Sequence, residues 1–166
     1  LISADHTFHV VKKGETLRSI SMEYYGNEWM SIYIKAGNRL SSELPKPGKK
    51  LIIPLAFTYK VKKGDSLRSI ARTQLGDPRR EDYLLRVNAL KSRSVKPGDR
   101  LRIPFVIGHT LKKGETIAIL SERFFRDKAL ARDLIEFNLI KDPRNLKIGT
   151  RILIPLMVER RKVVEE

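Results

Sequence analysis

The chain repeats itself every 50 residues, and this period constrains the fold more than any other feature. Lys-Lys-Gly occurs three times, with its glycine at Gly14, Gly64 and Gly114, and asparagines recur at Asn38, Asn88 and Asn138. Each unit closes in the same way. Pro47-Gly48 precedes Leu51-Ile52-Ile53-Pro54, Pro97-Gly98 precedes Leu101-Arg102-Ile103-Pro104, and Ile148-Gly149 precedes Ile152-Leu153-Ile154-Pro155. The last proline interval is 51, so the third unit carries one extra residue. A unit this small buries little surface and gains stability by packing on its neighbours.

Each unit opens on a short alternating run, Tyr59-Lys60-Val61-Lys62 or His109-Thr110-Leu111-Lys112, that predicts a half-buried strand. Glycine in the following turn supplies a backbone conformation that other residues resist. Thr16, Ser66 and Thr116 then stand as helix N-caps, because a hydroxyl can accept from the free amides of a first turn. The helix after each cap has an apolar stripe: Leu17, Ile20, Ser21 and Tyr24; Leu67, Ile70 and Ala71; Ile117, Leu120, Ser121 and Phe124. Gly26 and Gly76 stand at the C-cap position, which Arg126 occupies in the third unit. A second helix follows, with Leu84, Leu85 and Val87 before Asn88, and Leu134, Ile135 and Phe137 before Asn138. In the first unit Gly37 precedes Asn38, which favours an earlier helix end there. A turn leads into the closing strand, and proline ends it.

The expected architecture is α+β: three tandem βααβ modules, each a two-stranded antiparallel sheet packed on two helices. Boundaries fall at residues 1–55, 56–105 and 106–156, with residues 157–166 a charged tail or linker. Connectors such as Leu55 to Thr58 and Phe105 to Gly108 are short, which predicts a semi-rigid row. The asparagines are expected to hold the end of helix two through side-chain hydrogen bonds.

Composition narrows the chemistry. The chain has no cysteine, which excludes disulfides, thiolate metal sites and a cysteine nucleophile. No apolar run approaches the roughly 18 residues of a membrane helix. It starts at Leu1 without methionine, as expected of a processed form or an excised piece, and the expected setting includes a signal peptide removed before Leu1. The net charge of +15 favours an anionic partner. It is uneven, at +3 for residues 1–55, +8 for 56–105 and +4 for 106–166. The basic centre comprises Arg79, Arg80, Arg86, Lys91, Arg93, Arg100 and Arg102. No nucleic-acid motif or stacking platform accompanies it, which argues against nucleic acid.

Taken together, Tyr59-x-Val61-Lys62-Lys63-Gly64-Asp65-Ser66-Leu67-x-x-Ile70-Ala71, Asn88-x-Leu90 and Lys96-Pro97-Gly98-x-x-Leu101-x-Ile103-Pro104 resemble the LysM pattern, and units one and three match it similarly. The resemblance covers about residues 8 to 155. It implies non-catalytic binding of N-acetylglucosamine-containing polysaccharide, chiefly peptidoglycan or chitin, in a shallow groove between the loop before helix one and the loop after helix two. The residues it implies are Gly14, Glu15, Thr16 and Leu17 with Arg39 and Leu40; Gly64, Asp65, Ser66 and Leu67 with Ala89 and Leu90; and Gly114, Glu115, Thr116 and Ile117 with Leu139 and Ile140. Backbone amides and carbonyls would pair with the acetamide, and a leucine or isoleucine would cover its methyl. The implied setting is the bacterial cell envelope, periplasm or wall, with a possible envelope protein partner or attached domain. The alternatives are an envelope assembly protein that uses such modules for protein or nucleic-acid contact, and the targeting arm of a wall hydrolase.

Catalytic and metal constellations are missing from the sequence, so no enzyme activity, cofactor or metal is expected. His6, His9 and His109 have no metal spacing, and the latter two take the strand position of Tyr59, which predicts a structural role. Glu81 and Asp82 are adjacent and would point to different faces of a helix, which is wrong for an acid/base pair. Trp29, in a polar loop, is the aromatic residue best placed to stack on a sugar, whereas Tyr24 belongs to the core stripe.

Overall fold

The computed structural model describes residues 7–157 and has the expected α+β architecture. Module one comprises β1 (Thr7–Val10), α1 (Leu17–Tyr25), a 3₁₀ turn (Glu28–Met30), α2 (Ser31–Gly37) and β2 (Lys50–Ile53). Module two comprises β3 (Phe57–Lys60), α3 (Leu67–Leu75), a 3₁₀ turn (Pro78–Arg80), α4 (Glu81–Val87) and β4 (Arg100–Ile103). Module three comprises β5 (Phe105–Thr110), α5 (Ile117–Phe125), a 3₁₀ turn (Lys128–Leu130), α6 (Ala131–Phe137) and β6 (Arg151–Leu156). The first strand of each module pairs antiparallel with its last, in a register that sets His9 opposite Leu51, Tyr59 opposite Leu101 and His109 opposite Ile152.

Strand limits differ from the sequence expectation. β3 and β5 start earlier and end at Lys60 and Thr110. Alternation also marked Val61 and Leu111, whose amides bond across to Asp99 O and Thr150 O at 2.8 Å beyond the strand ends. Phe105 to Gly108 is strand, so Pro104 alone joins β4 to β5. Pro155 does not end β6; it pairs with Val106 inside the strand. A two-stranded sheet has only edge strands, and an edge tolerates a residue with no N–H to give. Nor does Gly37 shorten α2, which has the same 7 residues as α4 and α6.

Each asparagine explains that uniform end. Asn88 Nδ2 donates to Leu84 O and Arg102 O, and its Oδ1 accepts from Arg102 N. Asn38 and Asn138 bond in the same way to Ile34 and Ile52, and to Leu134 and Leu153. The side chain thus closes helix two, as expected, and also fastens it to the closing strand. The 3₁₀ turn between the helices was not expected. Asn27, Asp77 and Asp127 cap it by accepting from the amides of Trp29, Arg79 and Ala129 at 3.0, 2.8 and 2.8 Å.

The helix-one stripe is buried as expected, with one exchange. Tyr25, not Tyr24, enters the core of module one, and its hydroxyl donates to Pro54 O at 2.7 Å. Tyr24 is half-buried and lies 3.1 Å from His9 Nδ1.

The chain divides into two compact units, one through Ala56 and one from Phe57 to Met157. In the second, modules two and three share a core. Phe137 of α6 is fully buried among Val61, Leu67, Ile70, Tyr83, Leu84 and Leu101 of module two. Its ring meets Tyr83 edge-on at 4.8 Å, and the Arg80 guanidinium lies 4.6 Å from its centroid. Arg80 also donates to the carbonyls of Phe137 and Leu75, and Arg86 pairs with Asp133 and Glu136. No helix of the described residues is long and apolar enough to cross a membrane.

Candidate functional site

The loop before helix one is built from the Lys-Lys-Gly turn and the N-cap. Gly14, Gly64 and Gly114 have φ of +86°, +87° and +82°, which bends the chain at an exposed tip. Thr16, Ser66 and Thr116 accept from the amides of Ser19, Ser69 and Ile119, and the Ser19 and Ser69 hydroxyls accept in turn from the amides of Thr16 and Ser66. Ile119 has no hydroxyl, so module three has half of this box.

The acidic residue of each turn is tied to the opening strand. Glu15 Oε2 accepts from Lys12 N and lies 2.8 Å from His9 Nε2. Glu115 repeats this with Lys112 N and His109 Nε2 at 2.7 Å, and adds Arg123 at 2.6 Å. A carboxylate offers only acceptors, so the imidazole donates through Nε2. Module two keeps the link with other residues, Tyr59 donating to Asp65 at 2.8 Å. The longer Tyr meets the shorter Asp, and the shorter His meets the longer Glu. The pairing His9/Glu15, Tyr59/Asp65, His109/Glu115 stands in the sequence at a spacing of 6 but is read only once the partners are seen together.

These bonds lower the acids. The hydrogen bond from His9 and that from the Lys12 amide hold Glu15 below its ordinary value of 4.5. For Asp65 the Lys62 amide and the Tyr59 hydroxyl do the same. Burial works against Glu115, yet His109, the Lys112 amide and Arg123 together bring it down to about 2. A carboxyl depressed on folding contributes stability above its unfolded pKa and loses it as pH falls through the folded one. Acidification from about pH 4.5 to about 2 is therefore expected to remove on the order of 1–3 kcal/mol through Glu115. Urea midpoints of wild type and Glu115→Gln across this range check it, the wild type falling more steeply; parallel profiles would contradict the assignment.

The loop after helix two is a Schellman C-cap. Arg39 N donates to Ala36 O and Leu40 N to Lys35 O, a pattern repeated at Ala89/Leu90 and Leu139/Ile140. The residue that must turn left-handed is Arg39, Ala89 or Leu139, at φ of 52°, 50° and 55°. Glycine usually fills this place, and a side chain there costs roughly 1 kcal/mol. All three modules retain that strain.

Several implied contacts need correction. Leu17, Leu67 and Ile117 are 0%, 1% and 3% exposed, so these side chains belong to the core and cannot cover an acetamide methyl. Leu40, Leu90 and Ile140 are half-buried and keep an apolar face at the surface. The carboxylates of Glu15, Asp65 and Glu115 and the cap hydroxyls are engaged within the fold. What the two loops offer is therefore backbone plus Leu40, Leu90 or Ile140.

Their meeting is visible in module one, where Leu17 N donates to Glu43 O at 3.0 Å. Lys35 of α2 holds the Glu43 carboxylate at 3.1 Å. Among the described residues, the amides of Leu67 and Ile117, at the same place in modules two and three, make no such bond.

The basic centre of module two is also largely committed. Arg79 pairs with Asp77, Arg93 with Asp82 and Arg86 with α6, while Arg80 and Arg102 donate to the carbonyls of Phe137 and Met157. Lys91 and Arg100 remain exposed. Trp29 lies in the first 3₁₀ turn, 44% exposed, with the Arg18 guanidinium 5.4 Å from its ring centroid. His9 and His109 are buried, as their strand position implied. Among the described residues no group of three His, Asp or Glu could hold a metal ion. His6 and the tail at residues 158–166 lie outside the described residues.

A family model described as LysM domain matches residues 9–54, 59–104 and 109–155. No curated protein matches the chain. Solved structures similar to it include the Bacillus cereus spore cortex-lytic enzyme SleL, at 25% identity over 64% of this chain and 25% of that one, with a TM-score of 0.27. The Bacillus megaterium QM B1551 spore cortex-lytic enzyme SleL has 28% identity over 64% of this chain and 24% of that one, with a TM-score of 0.29. The LYK3 ectodomain has 16% identity over 92% and 89%, with a TM-score of 0.28. The chain spans about a quarter of the length of the two cortex-lytic enzymes.

Proposed function

The chain belongs to the LysM domain family, three times over, and from that premise we propose that it binds peptidoglycan without catalysis and anchors itself, or an attached domain, to the bacterial cell envelope. LysM domains bind N-acetylglucosamine-containing glycans and are typical of extracellular or cell-wall proteins. The observation that carries the reading is the pair of loops built alike in three modules. A glycine-tipped turn and N-cap stand on one side, and on the other a C-cap holds Arg39, Ala89 or Leu139 left-handed. Three different residue types hold the same left-handed turn, so this stretch of backbone is presented alike in all three modules, which suits a contact made by backbone.

The proposed contacts are the backbones of Gly14 to Leu17, Gly64 to Leu67 and Gly114 to Ile117, facing Arg39 and Leu40, Ala89 and Leu90, and Leu139 and Ile140. Loop amides and carbonyls pair with the acetamide, and the exposed faces of Leu40, Leu90 and Ile140 take over the apolar role that the buried residues cannot fill. Peptidoglycan is favoured over chitin because its stem-peptide carboxylates suit a chain of net charge +15. Co-sedimentation with purified peptidoglycan and with chitin, at matched N-acetylglucosamine content and physiological salt, tests the choice. Stronger retention on peptidoglycan is expected, and equal or stronger retention on chitin would overturn it.

A further inference from the structure

The three modules differ at the start of helix one, where in module one the two loops meet. In module one the Leu17 amide is already taken by the Glu43 carbonyl across the groove, at 3.0 Å. A side-chain tether accompanies that bridge. Glu43 is paired with Lys35 of α2 at 3.1 Å, so the second loop is held from the helix that precedes it. The positions 50 residues on carry Leu85 and Arg93, and 100 residues on Ile135 and Pro143, so neither other module can form the pair. In module two Arg93 turns instead to Asp82. The bridge is missing in both modules that lack the tether.

We propose that module one is a closed copy, its groove occupied by its own Glu43 carbonyl and latched by Lys35, and that modules two and three carry the two open glycan sites. The inference rests on the groove reading above and narrows its three like-built grooves to the two that stand open. An acetamide carbonyl entering module one would compete with an intramolecular acceptor that is present at very high effective concentration, whereas in modules two and three it displaces only water. The chain then grips a polymer through its second compact unit.

The test uses the full chain and a neutral N-acetylglucosamine oligomer, followed by amide NMR and calorimetry. In the wild type, the Leu67 and Ile117 amides shift and saturate, Leu17 does not, and two oligomers bind per chain. Lys35→Leu with Glu43→Arg installs the residues of module two; Leu17 then responds, the stoichiometry rises to three, and Leu17 amide exchange without ligand speeds up by about tenfold. A Leu17 response in the wild type at the same midpoint, or three oligomers per wild-type chain, overturns the closed-copy proposal and leaves the groove reading standing. If oligomer binds while none of the three amides responds, or does not bind, the groove reading falls and takes this proposal with it.

Discussion

Phe137→Ala is expected to destabilise module two along with module three, at a cost of about 3–5 kcal/mol. Phe137 belongs to α6 but is fully buried in one core cluster with residues of module two, and its ring packs edge-on against Tyr83. Removing the ring leaves a cavity beside Tyr83, which a packed interior closes only in part. Arg80 loses the aromatic face over which its guanidinium lies. The readout is native-state amide exchange with urea denaturation. Protection should fall for α3 and α4 as well as α5 and α6, in one transition. A loss confined to module three would contradict a shared core. For the same reason a fragment of residues 56–105 would lack part of its own core, and binding by single modules is better measured through point variants in the whole chain.

One such variant should have a larger effect on polymer than on oligomer. Leu90→Asp places a charge on the apolar face of the second groove, at a half-buried position whose tolerance can be followed by circular dichroism. If modules two and three engage one glycan strand together, losing either site removes the avidity of the pair. Retention on insoluble peptidoglycan should fall roughly 10²–10⁴-fold, while short neutral oligomers lose only one binding equivalent. Proportionate losses on polymer and oligomer would show that the sites act separately.

The features that could be read in advance are those a residue announces locally. Thr16, Ser66 and Thr116 cap their helices because a short hydroxyl after a glycine turn has little else to do, and the three asparagines mark the end of helix two. Other features carried a readable but unused signal. Asn27, Asp77 and Asp127 recur every 50 residues and cap the 3₁₀ turns. The burial of Leu17, Leu67 and Ile117 was implied by their place on the core stripe, although the resemblance cast them as ligand contacts. What could not be read depends on partners distant in sequence. The burial of Phe137 in module two, 50 residues from its counterpart Val87, follows from a helix pairing that no local pattern encodes. The left-handed turns at Arg39, Ala89 and Leu139 were hidden because those residue types do not ordinarily mark one. The same holds for Arg80, which reads as a surface charge and serves as a hydrogen-bond donor across modules.

The central claim is that backbone groups and apolar cover in the grooves bind the glycan, with charge in a supporting role. Calorimetry of the full chain with a neutral N-acetylglucosamine oligomer at low and high salt tests it most directly. Short-range hydrogen bonds and apolar burial are little screened, whereas exposed charges lose their reach over roughly 8 Å at physiological ionic strength. The groove account predicts saturable binding whose affinity changes less than about threefold between 50 mM and 500 mM salt. No binding of the neutral oligomer, beside retention on anionic wall that collapses as salt rises, would contradict it and leave the +15 charge as the source of attachment.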